Sequence, residues 1–458
     1  MLDGIQKVHL IGAGGIGMSA VAKFLLAKEK DVSGSDVAVS DIVKDLEKRG
    51  VNMHSGHAPE NIADGTNLVI FSSAVPEDNL ERTHARELGI PEMSYFAFLG
   101  ALSKEYSTIV VTGTNGKSTT TALLGLILQE AGYDPMVIVG SLVPGFKEGN
   151  LRLGGGRFFV VEGCEHNANM LHLEPEMIVL TNIEEDHLDF YRDLDHIRET
   201  FQLFVEKLKG KGLTILNADD AESQKIVADR SVRFGTDAKA NYRGSDRKTA
   251  QGVQSFELHS SMEEEKVFGV VDMKVPGAFN MMNALAATAA AMELGVPFDV
   301  CKKVLESFTG TWRRFERVGV WHGADIISDY GHHPTAIRGT IEAAREFFPG
   351  RRIVLCFEPH QHSRTKELID QFIDVLPLAD HIIVSEIYDV AGRQESKEDV
   401  SSKMLVDAIK ENDPGKDVQY AEDLDKAETK LRALIKANDV VLVMGAGDVD
   451  EIARNLAG

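Results

Sequence analysis

The sequence predicts an α/β protein of three domains: a Rossmann-like N-terminal domain, a central P-loop ATPase-like parallel sheet with an antiparallel excursion, and a C-terminal Rossmann-like α/β domain. Three observations carry this. The first hundred residues alternate short β-rich runs with helical patterns. A second series of strands begins at Thr108-Ile109-Val110-Val111, and a third alternation starts at Asp325. A chain of 458 residues is also long enough for two or three globular units.

In the first series, KVHLIG reads as a strand and Met18 to Lys28 as a helix. DVSGSD, a helix around 40–49 and the strand LVIFSSAV follow. In the second, the strands are STIVV, FFVVEG and EMIVLTNI. Residues 230–275 are polar and strand-like, interrupted by glycine and by the run Glu263-Glu264-Glu265-Lys266, and form the antiparallel excursion. The third runs through DIISDY, RRIVLCFEP, HIIVSEI and DVVLVMGAG, with helices between them. Domains are expected at 1–105, 106–310 and 311–458.

Composition removes several classes of function. Hydrophobic residues make up 43% and charged residues 26%, enough to build real cores. No apolar run approaches a membrane span, and MLDGIQKVHLIG is neither a signal nor a transit peptide, so no membrane insertion and a cytoplasmic location are expected. Cys164, Cys301 and Cys356 lie far apart and form no CxxC pair, which argues against a disulfide scaffold or zinc knuckle. A formal net charge of −22 argues against nucleic acid as a partner, because phosphate backbones are held by basic surfaces.

Two glycine turns follow strands. The first, Gly12-Ala-Gly14-Gly15-Ile-Gly17, opens a helix, and Asp36 ends the next strand. Backbone N–H groups at such a helix start point at an anion. A dinucleotide, another nucleotide-like ligand and a purely structural turn all fit this pattern. The second is sharper: Gly113-Thr114-Asn115-Gly116-Lys117-Ser118 between a β-branched strand and a long apolar helix. Glycines let amides curl around phosphates, Lys117 reaches the β and γ oxygens, and the Ser118 hydroxyl can ligate Mg²⁺. Val111 stands where the strict template has glycine, so the loop is a variant of an ATP-type site.

Around that loop, VVEGCEHN ends a strand with Glu162, Cys164, Glu165 and His166, a cluster open to a soft metal, a thiol nucleophile or a plain strand end. TNIEEDHLD, through Asp189, follows the next strand, and the strand ends would bring Glu162 and His187 to the phosphate loop. A capping or solvated role for His187 fits equally well at this point. Asn280 and Asn283, the pair Arg313-Arg314, the stretch Asp329-Tyr330-Gly-His332-His333 and the run His360-Gln361-His362-Ser363-Arg364 come later. Adjacent histidines rarely converge on one ion, which favours substrate contact over zinc.

The set GAGGIGMSAVA, GTNGKSTTTA, TNIEEDHLD, FNMMNA, GTWRRFE, DYGHHPT and PHQHSRT, in this order, resembles the Mur ligases of peptidoglycan synthesis. The likeness covers essentially the whole chain and is nearest to the branch that adds L-alanine to UDP-N-acetylmuramate. The resemblance implies an N-terminal UDP-sugar domain, a central ATP-binding domain and a C-terminal domain that brings in the amino acid. It implies ATP as co-substrate, Mg²⁺ or Mn²⁺ as the metal, and a monomer or homodimer. By the same resemblance Gly12, Gly14, Gly15, Gly17, Asp36, Ser72 and Ser73 bind the UDP-sugar. Gly113, Thr114, Asn115, Gly116, Lys117, Ser118, Thr119, Asn280, Asn283, Arg314 and Asp329 bind ATP. Ser118, Glu162 and His187 hold the metal, while Tyr330, His332, His360 and Arg364 meet the amino acid and the reacting carboxylate. Lys117, Glu162, His187, Arg314 and His332 form the implied catalytic set.

The chain departs from the family pattern in places. Asn115 and Ser118 replace histidine and threonine, EGCEH replaces EADES, Phe279 replaces histidine, and Gln361 replaces arginine. Residues 195–204 contain no lysine, which fits the alanine branch rather than branches that use a carbamylated lysine. The competing expectations are a ligase that joins a preformed tripeptide to UDP-N-acetylmuramate and a nucleotide-binding protein that has lost catalysis. An NAD-dependent oxidoreductase explains only the first hundred residues.

Overall fold

The structure is a computed structural model that describes all residues except 189, 209, 211, 251, 263–265 and 389–398. Asp189 and the acidic run Glu263–Glu265 therefore lie outside the described residues. The chain divides into two compact units: Met1–Arg243 with Ser260–Lys266 and Asn283–Val304, and Gly244–His259 with Val267–Met282 and Leu305–Gly458.

The first unit contains two sheets. One alternates β1 (Lys7–Ile11), α1 (Ile16–Ala27), β2 (Asp31–Asp36), α2 (Asp41–Lys48), β3 (Asn52–Ser55), β4 (Leu68–Phe71), α3 (Leu80–Glu87), β5 (Glu92–Ser94) and α4 (Tyr95–Ser103). Its order is β3-β2-β1-β4-β5, and all pairs are parallel. The order reverses beside β1, so the crevice outside its carboxyl end is a ligand position for this topology. Helix α1 begins two residues ahead of the expected start, because Gly15 already caps it.

The other sheet is built on β6 (Ser107–Thr112), α5 (Lys117–Glu130), β7 (Met136–Ile138), β8 (Leu151–Arg152), β9 (Phe158–Gly163), β10 (Met177–Leu180), α6 (Leu194–Val205), β11 (Leu213–Asn217) and β12 (Ser231–Gly235). Strand β6 lies between β9 and β10, both parallel to it. These strands read as continuous apolar runs because both of their faces are buried. Register pairs Val111 with Glu162 and Thr112 with Leu180, so the segments after β9 and β10 flank the loop after β6.

Strand β13 (Tyr242–Ala250) starts beside β12, and β14 (Val253–Ser260) and β15 (Lys266–Met273) are its successive neighbours. The gap between β13 and β14 is too short for a crossover, so this pair runs antiparallel. The excursion starts later than the expected residue 230, because β12 is parallel to β11 and to the start of β13. Helices α7 (Ala278–Glu293) and α8 (Phe298–Ser307) follow.

The second unit carries β16 (Glu316–Trp321), β17 (Ala324–Asp329), α9 (Pro334–Phe347), β18 (Ile353–Phe357), α10 (His362–Glu367), α11 (Ile369–Val375), β19 (His381–Val384), α12 (Ser402–Asn412), β20 (Asp417–Tyr420), α13 (Leu424–Leu434), β21 (Val440–Met444) and α14 (Asp450–Ala457). The sheet order is β16-β17-β21-β18-β19-β20, parallel except for β16. Asp329 and Phe357 both pair with Met444, so the loops after β17, β18 and β21 leave the sheet at one level.

Candidate functional site

In the first unit the loop after β6 has the backbone that its glycines allow. Gly113 has φ +132° and Gly116 φ +83°, left-handed conformations that side chains disfavour. Space enforces the same choice: a Cβ on Gly113 would meet Thr181 Oγ1 at 2.2 Å, and one on Gly116 would meet Asn283 Oδ1 at 2.2 Å. The segment after β10 clamps the loop from the side. Thr114 N donates to Asn182 O at 3.0 Å, Asn115 N to Asn182 Oδ1 at 2.9 Å, and Thr181 Oγ1 to Asn115 O at 2.6 Å. Thr120 Oγ1 donates to Asn283 Oδ1 at 3.3 Å, which fixes Asn283 against the helix that opens after the loop. Thr119, one residue earlier, is buried in the same helix.

Lys117 Nζ donates to Gly113 O, Thr114 O and Glu165 Oε2, at 2.5, 3.1 and 2.7 Å. Burial works against its charge, but Glu165 more than compensates and raises its pKa, so Lys117 is an ammonium. Burial alone would raise the Glu165 carboxyl; Lys117 and His187 hold it below the usual range. Ser118 Oγ donates to Glu162 Oε2 at 3.1 Å, and Gly140 N donates to Glu162 Oε1 at 2.5 Å. His187 Nε2 faces Glu165 Oε1 at 3.6 Å and Asp186 Oδ2 at 3.7 Å, and its ring stacks on His166 with centroids 4.3 Å apart. Burial, then Glu165, pushes the Cys164 thiol up to about 12, which disfavours its thiolate.

The glycine turn after β1 is tightly built. Gly12 has φ +76°, and a Cβ there would stand 3.0 Å from Ser72 Cβ. Ser72 thus lies against the turn, whereas Ser73 is exposed. Gly14 N donates to Asp36 Oδ2 at 2.8 Å, so Asp36 organises the turn itself. At Gly17 a Cβ would come within 2.8 Å of Tyr95 Oη. Burial, then Glu162 and Cys164, raises the Tyr95 pKa, so the hydroxyl stays protonated. Nothing in the sequence signalled Tyr95, because its partners come from β9 and from the start of α1.

In the second unit, Tyr330, His332, His360 and Arg364 come together. His332 lies 5.4 Å from the Tyr330 ring and 5.6 Å from the His360 ring. Arg364 Nη1 is 3.4 Å from His360 Nδ1, and His360 stacks on Tyr388 at 5.5 Å. Asp329 accepts from Phe315 N and Gly331 N, both at 2.7 Å. Burial raises its pKa, against the pull of Arg314. The guanidinium of Arg314 lies 4.6 Å from the Tyr330 ring centroid. Asn280 Nδ2 donates to Pro276 O at 2.7 Å. Its neighbour in the sequence pattern, Asn283, belongs to the first unit.

Two further residues of this unit stand out, Arg313 from the arginine pair and Glu358, which the sequence did not single out. Arg313 Nη2 donates to Gly445 O and Gly447 O at 2.5 and 2.8 Å, pinning the turn after β21. Glu358, buried at the end of β18, accepts from Val449 N at 3.1 Å, and burial pushes its carboxyl up to about 7.

Three stretches match parts of one family. Residues 7–107 match the description "Mur ligase family, catalytic domain", 111–291 "Mur ligase middle domain", and 313–447 "Mur ligase, glutamate ligase domain". A UDP-N-acetylmuramate–L-alanine ligase of Caldanaerobacter subterraneus subsp. tengcongensis is 36% identical over 458 residues, covering 99% of this chain and 97% of the relative. The chain belongs to the Mur ligase family. Another relative of that name, from Salinibacter ruber, is 38% identical over 452 residues, covering 98% of this Mur ligase and 94% of the relative. A solved UDP-N-acetylmuramate–alanine ligase from Thermotoga maritima superposes with TM-score 0.85 at 30% identity, covering 98% of both chains. A murein peptide ligase from Psychrobacter arcticus shares the fold at TM-score 0.76 and 23% identity, with 98% of both chains covered. Mur ligases use ATP, and the loop 113–118 of this one has the form that such a nucleotide requires.

The oxygen donors present suit the magnesium that the family implies. Ser118 and Glu162 offer a hydroxyl and a carboxylate on one edge, the hard ligands that Mg²⁺ prefers. Among the described residues no group of three His, Cys, Asp or Glu forms a metal cage. Mg²⁺ needs none, since it keeps waters and phosphate oxygens in its shell.

Proposed function

We propose that this Mur ligase joins L-alanine to the lactyl carboxylate of UDP-N-acetylmuramate at the expense of ATP. The observation that carries the reading is the full-length likeness to ligases of that name together with an ATP-type loop flanked by Glu162 and Glu165. The proposed domains, 1–105, 106–310 and 311–458, take the UDP-sugar, ATP and the amino acid in turn, and the family segments 7–107, 111–291 and 313–447 support a three-part reading. No helix among the described residues is long and apolar enough to cross a membrane.

Carboxylates do not acylate amines unaided at neutral pH, so the lactyl carboxylate must first be activated. Its oxygen attacks the γ-phosphorus, the bond to ADP breaks, and an acyl phosphate forms. Lys117 neutralises charge on the transferring phosphoryl group, and Arg314 is assigned the same task. Ser118, Glu162 and His187 are the residues that would hold Mg²⁺, which supplies electrostatic stabilisation of the phosphate oxygens when bound. Asn280 and Asn283 are assigned to the adenine side, and Asp329 to the ribose. The neutral amine of L-alanine then attacks the acyl carbon, and the tetrahedral adduct expels phosphate. Arg364 suits the alanine carboxylate, since a guanidinium fork matches it with two hydrogen bonds. Tyr330, His332 and His360 line the same position.

At the other end of the substrate, Gly12, Gly14, Gly15 and Gly17 serve the diphosphate with the start of α1. The test is phosphate release with UDP-N-acetylmuramate and ATP, run with L-alanine, other amino acids or tripeptide. L-alanine is expected to stimulate most. Stimulation by tripeptide and not by L-alanine would overturn the reading in favour of a recycling ligase.

A further inference from the structure

Glu165 is a buried carboxylate, 4% exposed, to which neither the motif nor the proposed chemistry assigns a task. Its backbone is held in place: its carbonyl accepts from Ala168 N at 2.8 Å and from the buried Tyr191 hydroxyl. The side chain faces two members of the phosphate site at once. Oε2 accepts from Lys117 Nζ at 2.7 Å, and Oε1 stands 3.6 Å from His187 Nε2. The opposite face of the His187 environment is set by the stacked His166 ring. His187 itself has φ +56°, a strained backbone position for a residue with a side chain.

We infer that Glu165 is a positioning residue of the ligase reaction, fixing the Lys117 ammonium with one oxygen and orienting the His187 imidazole with the other. The inference rests on the ATP-dependent ligase reading above. Its physical basis is the geometry of a shared counter-ion. A carboxylate facing Nε2 favours the tautomer protonated there and leaves Nδ1 with a free lone pair. The same carboxylate limits the rotamers of Lys117, whose long stem would otherwise lose orientation at the moment of phosphoryl transfer. One residue thus couples a cation and an imidazole that reach the site from different strands.

The test compares the full-length enzyme with Glu165→Gln and Glu165→Asp. Mn²⁺ binding, followed by electron paramagnetic resonance with ADP present, should weaken about tenfold in E165Q. At the same time kcat should fall about tenfold, while the Kd for UDP-N-acetylmuramate stays within about twofold. E165D, which keeps the charge, should lie between the two. In a double-substitution cycle, adding E165Q to His187→Asn should cost far less than E165Q alone, because the two act through one another.

Unchanged Mn²⁺ affinity and kcat in E165Q would overturn the inference. So would a uniform loss matching a smaller folded fraction, which is what an ion pair that only holds the fold would give. If E165Q does not fold, E165D decides: normal metal affinity and kcat per folded molecule overturn the inference, and weakened metal binding supports it. A wild-type enzyme that ligates no L-alanine would refute the function instead, whereas an active wild type matched by E165Q refutes this inference alone.

Discussion

Ser118 Oγ donates to Glu162 Oε2 at 3.1 Å, so the first turn of α5 and the end of β9 present one oxygen-rich edge beside the phosphate loop. Parallel pairing of β6 with β9 makes this edge: Val111 sits opposite Glu162, two residues before Gly113 opens the loop.

That edge separates the roles of two neighbours. Glu162→Ala is expected to lower kcat by about a hundredfold or more, the scale of losing a group that stabilises transition-state charge. Cys164→Ser should keep activity with no zinc added, because the thiol, at about 12, is neutral and unreactive. Steady-state kinetics of the two variants checks both expectations, and loss of activity in Cys164→Ser would count against a hard-metal site.

Lys117→Ala should abolish turnover and leave UDP-sugar binding largely intact. Lys117 opens α5 at the end of the loop after β6, whereas the sugar nucleotide is assigned to the turn after β1. Titration calorimetry with UDP-N-acetylmuramate measures this, and a large loss of affinity would contradict the assignment of the two ligands to separate turns.

Gly17 is a glycine because of Tyr95, whose ring carbon Cζ would stand 2.7 Å from a Cβ at that position. Gly17→Ala must push the ring or the start of α1, an overpacking cost of about 1–3 kcal/mol. The KM for UDP-N-acetylmuramate is expected to rise about tenfold, with a smaller effect on the KM for ATP. Equal effects on both substrates would argue that Gly17 serves only folding.

Glu358 gives the second unit a pH dependence of known sign. Its carboxyl is raised from 4.5 to about 7, so between these values the folded chain holds a proton that the unfolded chain has lost. Its contribution therefore weakens stability as pH rises from 4.5 through 7, by about 3 kcal/mol in total. Glu358→Gln, neutral throughout, should flatten the fall of the unfolding midpoint across pH 5 to 7. Identical slopes for the variant and the wild type would show that Glu358 is ionised at its lower, ordinary value.

The phosphate loop was legible in the sequence because local rules fix it: a β-branched strand, glycines at left-handed positions and a helix form one contiguous stretch. Glu162 was legible for a similar reason, as the last polar residue of a buried strand. Glu165 was not, since its partner Lys117 lies 48 positions away and only the pairing of β6 with β9 joins them. The adjacent arginines show the same limit. Sequence treats Arg313 and Arg314 alike, yet one holds the carbonyls of Gly445 and Gly447 and the other lies over Tyr330. Glu358 was hidden because its partner, Val449, is the residue before α14, 91 positions further along the chain.

The central claim is that the lactyl carboxylate is activated by phosphoryl transfer and then captured by L-alanine. UDP-N-acetylmuramate carrying ¹⁸O in that carboxylate, incubated with ATP and L-alanine, tests it directly by mass spectrometry of the phosphate released. The account predicts that each phosphate formed with the alanyl product carries one ¹⁸O from the carboxylate. Unlabelled phosphate would mean that water or another acceptor takes the phosphoryl group, and would contradict it.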